Sequence, residues 1–265
     1  VTGGGFGIGK ALCLALGNQQ STVIAADLNL EAAQRTRDDL LGMGCRCESE
    51  SLDIREESSF RRVLDRVLER HGRIDYLFNV AGVSSVCEIR DLPQSQWRNV
   101  IETNLIGTIH GSTLAYERML EQGWGHIVNV SSAAGFIPQP VTAVYTATKH
   151  AINGFTACLQ AEAAALGVDV TLVCPGYVRT NLFEACEIVA VERNALLSAV
   201  PFSPMDAGAA ATAILKGVAQ RKALIVFPFH ARLTALVARL FPTLIGRLLQ
   251  SSLRNLRLAR NEGGK

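Results

Sequence analysis

The sequence predicts an α/β fold: a doubly wound parallel sheet with helices on both faces, followed by a C-terminal helical extension. Three observations predict it. Short β-branched runs alternate with helical patterns through residues 1–228, a glycine-dense turn opens directly into a helix, and residues 229–265 switch to a basic, leucine-striped composition. Strand and helix in alternation give parallel pairing, because each helix carries the chain back across the sheet to start the next strand in the same direction. The 265 residues are 48% hydrophobic and 19% charged, which suits one large buried core and excludes a disordered chain. A net charge of +2 leaves no groove-sized cationic excess outside the tail and argues against nucleic acid as a partner.

The elements follow in order. The runs STVIAAD (21–27), IDYLFNVAG (74–82), HIVNVSS (126–132), VDVTLVCPG (168–176) and ALIVFP (223–228) read as buried strands. Between them, 30–44 and 56–72 read as helices that stop on Gly44 and Gly72, the second with Phe60, Val63, Leu64, Val67 and Leu68 at helical spacing. Residues 91–122 and 142–167 read as longer helices. No repeat or linker divides 1–228, so it is expected to form one domain, with 229–265 as its extension. The seven cysteines (Cys13, Cys45, Cys47, Cys87, Cys158, Cys174, Cys186) are odd in number and scattered, as expected of free thiols in a reducing, cytoplasmic setting. There is no signal peptide and no uncharged run of about 18 residues, so no spanning helix is expected. The chain begins at Val1 rather than Met, and most of a first strand is expected to precede it.

The opening VTGGGFGIGKALCLALG admits two phosphate-binding readings. Gly4-x-x-x-x-Gly9-Lys10 approaches the loop of nucleotide hydrolases, but that loop needs Ser or Thr next to hold magnesium, and here Ala11 follows. The second reading is Thr2-Gly3-x-x-x-Gly7-x-Gly9. Its glycines let the backbone turn tightly and approach a pyrophosphate seated at a helix N-terminus, as in a Rossmann-type dinucleotide site. Asp27 ends the next strand, 20 residues after Gly7. A carboxylate there accepts hydrogen bonds from ribose hydroxyls and repels a 2′-phosphate. Gly4, Gly5 and Phe6 supply no cation and Leu28 follows Asp27, so turn and carboxylate together favour NAD over NADP.

The chemistry lies further along. YTATK (145–149) places Tyr145 and Lys149 four residues apart on one helix face. A free phenol, with a pKa of about 10, is a poor base at neutral pH. A nearby ammonium and a bound nicotinamide cation both favour the phenolate, which can then take a proton from an alcohol as hydride leaves its carbon. No metal is required; His126 and His150 read as structural.

These motifs, in this order, resemble the short-chain dehydrogenases/reductases, in their classical subtype, over roughly residues 1–228. The resemblance implies that Gly3, Phe6, Gly7, Ile8 and Gly9 form the cofactor turn and that Asp53-Ile54 contacts adenine. Asn79-Val80-Ala81-Gly82 is similar to the family's Asn-Asn-Ala-Gly motif, with Val80 replacing the second Asn, so Asn79, Ala81 and Gly82 are implied at the cofactor. Asn104 in ETNLIG matches the helix Asn that supports a proton path through the lysine. The family's catalytic serine stands 13 residues before the tyrosine, which selects Ser132 over Ser131. PGYVRT (175–180) resembles the segment that touches the nicotinamide amide through Pro175, Gly176, Val178 and Thr180. The implied roles are Tyr145 as general acid/base, Lys149 as its electrostatic partner and ribose ligand, and Ser132 as donor to the substrate oxygen.

The segment 177–204 matches the family's variable loop over the substrate. Its residues Phe183, Ile188, Val189, Leu196, Leu197, Val200 and Phe202 either cover a hydrophobic secondary alcohol or ketone (steroid-, retinoid- or lipid-like) or pack on the protein itself. The expected function is therefore an NAD-dependent alcohol dehydrogenase/ketone reductase, a homodimer or homotetramer; the alternative is a catalytically silent nucleotide-binding relative acting through partner or membrane contacts. The tail holds seven cations (Arg232, Arg239, Arg247, Arg254, Arg257, Arg260, Lys265) against Glu262, so the remainder of the chain is net negative. Leu233, Leu236, Val237 and Leu240 form one stripe; Ile245, Leu248, Leu249, Leu253 and Leu256 form another beyond Pro242. Such basic amphipathic helices lie on an anionic membrane surface or dock on their own fold or a neighbouring subunit.

Overall fold

The computed structural model describes residues 1–182, 186–189 and 203–262. Two groups of parallel strands make up the main sheet. One pairs β1 (Thr22–Asp27) with β2 (Arg46–Ser51). The other runs in the order β3 (Tyr76–Asn79), β5 (Gly125–Val130), β6 (Val168–Pro175), β8 (Leu224–Phe227). A separate small pair joins β4 (Ser85–Val86) to β7 (Glu187–Ile188).

Val1 and Thr2 fill the slot between the two groups. Ala26 N–H donates to the Val1 carbonyl and Thr2 N–H to the Phe78 carbonyl, each at 3.0 Å. One backbone segment therefore bonds to β1 on one side and β3 on the other. The chain winds outward from this slot in both directions, which makes the carboxyl edge of the slot a topological switch point. The glycine turn sits at that edge.

Helices α1 (Gly7–Gly17), α2 (Leu30–Gly42), α3 (Glu57–His71), α4 (Gln94–Ile101), α5 (Gly107–Gln122), α6 (Ala143–Ala163) and α7 (Ala207–Ala219) cover the sheet. The strands alternate sides, so Ile127 packs with Phe60, Leu114 and Met119 while its neighbour Val128 packs with Leu12, Val173 and Ile214. Helices α8 (Phe229–Leu240) and α9 (Pro242–Glu262) form the extension. Ala231 and Ala238 of α8 are buried on the body, as is Ile245 of α9.

Four features differ from the sequence expectation. Strand β2, RCESES, has no β-branched residue and was not among the runs read as strands. It is stabilised by charge: its Glu50 is held by Arg66 of α3 at 2.6 Å and by Arg70. The helix expected over 91–122 is broken into a 3-10 turn (Ile89–Asp91), α4, a π-helical turn (Glu102–Ile106) and α5. The run 74–82 forms a strand only over Tyr76–Asn79, because Thr2 Oγ1 takes the N–H groups of Val80 and Ala81 at 3.0 and 3.1 Å and turns the chain. The helix expected over 142–167 ends at Ala163.

A polar knot ties strands β3 and β5 to the helices behind them. Asn129 Oδ1 accepts from Asn79 Nδ2 at 2.9 Å and Ser112 Oγ at 3.1 Å, while its Nδ2 donates to Thr156 Oγ1 at 3.1 Å. Asn129, Ser112 and Thr156 are wholly buried. Because removing one member strands the others without water, Asn129→Leu is expected to lower unfolding free energy by about 2–3 kcal/mol, read by urea denaturation.

Candidate active site

The cofactor turn is shaped by close backbone approach. Gly3 has φ +67°, and a Cβ there would lie 2.9 Å from Ala81 Cα. At Gly9 a Cβ would lie 2.0 Å from the Gly3 carbonyl oxygen, so no side chain fits while the turn keeps this shape. The turn delivers Gly7 and Ile8 as the first residues of α1, whose N-cap, Phe6, makes no side-chain capping bond and whose first turn carries no acidic residue. The N–H groups and positive dipole end of α1 therefore suit an anion. Thr180 reaches the same place: its Cβ and methyl stand 3.0 Å from where a Gly7 Cβ would be.

Asp27 closes the turn on its outer side. Its Oδ2 accepts Gly5 N–H at 3.0 Å and its Oδ1 accepts Asn29 N–H at 2.9 Å. The N-cap of α2 is Asn29, which accepts from Ala32 N–H at 3.0 Å, so Asp27 is not spent on capping. Asp53 is gripped by Arg55, with Nε 2.9 Å from Oδ1 and Nη2 2.6 Å from Oδ2. That guanidinium holds the Asp53 carboxyl below its ordinary range and offsets the opposing effect of burial.

Three of the implied cofactor residues point their side chains elsewhere. Ile54 is buried, packed where a Cβ on Gly107 would come within 2.5 Å of it. Asn79 belongs to the knot with Asn129 and Ser112. Val178 is buried in the cluster with Leu12 and Val173. Each can meet a ligand only through its backbone. Gly176 N–H donates to the Phe227 carbonyl at 2.6 Å, which fixes the segment after Pro175 against β8.

The catalytic candidates converge on Lys149. Its ammonium is buried, donates to the Val130 carbonyl at 3.1 Å and lies 5.5 Å from the Tyr145 ring centroid. Burial pulls its pKa from the ordinary 10.5 down to about 8. Burial pushes the Tyr145 phenol upward, and a hydrogen bond with the Ser132 side chain opposes that rise. Ser132 Oγ also accepts Ala134 N–H at 3.1 Å, whereas Ser131 Oγ is turned away and donates to the Lys149 carbonyl at 3.1 Å. The neighbouring serines thus have different work, and only Ser132 engages the phenol.

Asn104 lies in the π-helical turn and is wholly buried. Its amide grips the Val83 backbone, accepting N–H at 2.8 Å and donating to the carbonyl at 2.9 Å. A Cβ on Gly82 would lie 3.2 Å from Asn104 Oδ1 and 3.8 Å from Lys149 Nζ, so Gly82 is the bare backbone between the two. Two residues were not anticipated from the sequence. Thr148 Oγ1 donates to the Tyr145 carbonyl at 2.7 Å and accepts from Asn104 Nδ2 at 3.3 Å. Cys174 faces Lys149 and its thiol is pushed up to about 12 by burial, so it stays neutral there. Neither carries a spacing signal. His126, by contrast, sits inside the sheet with Nε2 2.8 Å from Thr171 Oγ1.

The family model for short chain dehydrogenases matches residues 1–187. The chain belongs to that family. A short-chain dehydrogenase/reductase from Burkholderia phymatum, solved in complex with NAD, superposes with a TM-score of 0.85 at 26% identity, covering 92% of this chain and 93% of that one. Cyclohexanol dehydrogenase of an Acinetobacter species is 33% identical over 193 residues, 71% of this chain and 77% of its own. D-beta-hydroxybutyrate dehydrogenase of Rhizobium meliloti is 34% identical over 186 residues, 69% of this chain and 72% of its own. The probable oxidoreductase EphD of Mycobacterium tuberculosis is 33% identical over 183 residues, and the match spans only 31% of its length. The glycine turn, the Asp27 carboxylate and Thr180 come together at the N-terminus of α1, where the backbone leaves room for an anionic ligand.

A small cleft is lined by Ser85, Cys87, Ile89, Leu92, Val141, Ala143 and Val144, the last two immediately preceding Tyr145 in α6. Ile188 and Val189 of the variable loop are partly buried next to β4, while Phe183, Leu196, Leu197, Val200 and Phe202 lie outside the described residues.

Lys149 supplies a stability test. Its folded-state pKa is depressed, so between about 8 and 10.5 the unfolded chain binds more protons than the folded one. Stability therefore rises with pH across that window, and below it the buried ammonium carries its full penalty. Relative to Lys149→Met, the wild type should gain up to about 3 kcal/mol as pH is raised through the window, read as the difference between two denaturation series.

Proposed function

We propose that this member of the family is an NAD-dependent dehydrogenase/reductase that interconverts a hydrophobic secondary alcohol and its ketone. The observation that carries the reading is the buried Lys149 ammonium 5.5 Å from the Tyr145 ring. A buried lysine ammonium this close to a tyrosine ring suits proton chemistry. A catalytically silent nucleotide-binding protein has no use for that arrangement. Residues 1–228 would form the catalytic unit, with 229–265 as an appended helical element.

When bound, the nicotinamide supplies the two-electron hydride acceptor or donor. The turn Gly3–Gly9 and the N-terminus of α1 would hold its pyrophosphate, Asp27 the adenosine ribose, and Thr180 with the backbone of Pro175–Val178 the nicotinamide end. Tyr145 takes the alcohol proton as the carbonyl forms and returns it in the reverse direction. Lys149 stabilises the phenolate by charge and would bind the nicotinamide ribose. Ser132 donates to the substrate oxygen as negative charge builds on it. Asn104, through its grip on Val83 and Thr148, keeps the backbone around Lys149 in place.

The choice of NAD over NADP rests on Asp27, whose carboxylate would accept from ribose hydroxyls and repel a 2′-phosphate, and on the absence of a cation in Gly4–Phe6 or at Leu28, which is 63% exposed. The hydrophobic substrate class, steroid-, retinoid- or lipid-like, is supported by the apolar composition of the segment 177–204. The activities named for the Acinetobacter and Rhizobium relatives, on cyclohexanol and on hydroxybutyrate, are both secondary-alcohol oxidations.

Two substitutions test this reading. Tyr145→Phe should lower kcat on a panel of hydrophobic secondary alcohols by at least about a hundredfold while NAD affinity changes little, because only the ionisable oxygen is removed. Retention of wild-type turnover would reject the general-base role. Asp27→Ala should weaken NAD and strengthen NADP, shifting the ratio of their Kd values by about tenfold or more; a wild type that already prefers NADP would contradict the assignment.

A further inference from the structure

Helix α8 is amphipathic in an inverted sense. Its buried face consists of small residues, Ala231 and Ala238, and Ala231 packs close enough to the chain at Gly176 that a Cβ there would lie 3.2 Å from its own Cβ. Its large apolar residues face outward. Phe229 is 77%, Leu233 52%, Leu236 54% and Leu240 60% exposed. At 3.6 residues per turn these four fall within about 60° of arc, so they form one continuous stripe. Phe241, at the end of α8, and Leu248 of α9 are also exposed. A patch of large exposed side chains in an otherwise well-packed molecule marks a surface that is covered in use.

Charge says what covers it. Arg232 and Arg239 are exposed along one edge of the stripe, and Arg247 and Arg254 continue the basic surface on α9. Among the described residues none of these four is in an ion pair. No acidic residue occurs between Phe229 and Asn261, while the chain outside the tail is net negative. A second copy docked face to face by two-fold symmetry would bring this arginine rim against itself without a compensating carboxylate. A lipid surface with anionic headgroups supplies both an apolar layer for the stripe and counter-charges for its rim.

The two helices do not join into one straight span. No described helix is by itself long and apolar enough to cross a membrane; α8 and Ile245–Ser251 of α9 meet the length and composition together but are bent by 113°. The far part of α9 is tied to the body by Arg257, which donates to Glu88 at 2.6 Å beside β4. We infer that the outer face of α8 and the start of α9 is a peripheral docking surface for anionic lipid bilayers, holding the catalytic unit against the membrane.

The test is co-sedimentation of the full chain with phosphatidylcholine vesicles and with vesicles enriched in phosphatidylglycerol, at low and high salt. The chain should pellet with the anionic vesicles at low salt at least about tenfold more than with neutral ones, and high salt should release it. Arg232→Glu/Arg239→Glu and Leu233→Asp/Leu236→Asp should each abolish most of that pelleting. Thermal melting should be unchanged in both, since all four side chains are exposed. Full-length chain left in the supernatant, pelleting indifferent to lipid charge, or a leucine double variant that pellets like wild type would overturn the inference. So would a wild-type oligomer that Leu233→Asp/Leu236→Asp splits in size-exclusion chromatography without vesicles, which would assign the stripe to a second copy.

Discussion

The arrangement turns on a charged ammonium kept where water is scarce. Lys149 is buried and its only direct hydrogen bond among the described residues goes to the Val130 carbonyl at the end of β5. A charge in such a place is tolerated when the surrounding backbone is rigid and the group is needed. The neighbouring structure supplies the rigidity. Ser131 holds the Lys149 carbonyl from below, Thr148 links the Tyr145 turn to Asn104, and Asn104 locks Val83 beside Gly82. The same burial that lowers the lysine pKa raises that of Tyr145. The free site therefore stores a protonated phenol, and added positive charge is what would release its proton.

That cluster gains its place from the slot at the centre of the sheet. Val1 and Thr2 join β1 to β3, and Thr2 Oγ1 then collects the two N–H groups that begin the Val80–Gly82 loop. The residue that starts the cofactor turn thus also fixes the loop that passes Lys149. Gly3 against Ala81 and Gly82 beside Asn104 are close approaches in which no side chain intervenes. The glycine turn and the Lys149–Tyr145 cluster are therefore two ends of one short, tightly packed path through the switch point.

Much of this was legible in the sequence, for identifiable reasons. The interior strands are dense in Val and Ile because both their faces are buried, so 126–132 and 168–176 stand out. Strand β2 does not, because its Glu50 is compensated by arginines from α3, a tertiary effect that no local pattern reveals. The π-helical turn at Glu102–Ile106 inserts into a continuous helical periodicity and leaves no compositional mark, although it is what carries Asn104 to Val83. Motif positions name candidate residues but do not say which of their atoms are free to meet a ligand. Ile54, Asn79 and Val178 stand at matched positions with their side chains committed to the core. Ser132 and Ser131 show the opposite case, where the family's spacing singled out the serine that the structure pairs with the phenol.

The central claim is that Lys149, together with the charge of the oxidised cofactor, controls the ionisation of Tyr145. It is tested most directly by carbon-13 NMR of the chain labelled at the tyrosine Cζ, titrated with and without NAD. The chain has 4 tyrosines, and Tyr145→Phe assigns the signal. The account predicts a Tyr145 pKa above the ordinary 10 in the free protein and a fall of at least about two units on binding NAD, a fall largely lost in Lys149→Met. A Tyr145 signal that titrates at the same pH with and without the cofactor would contradict it.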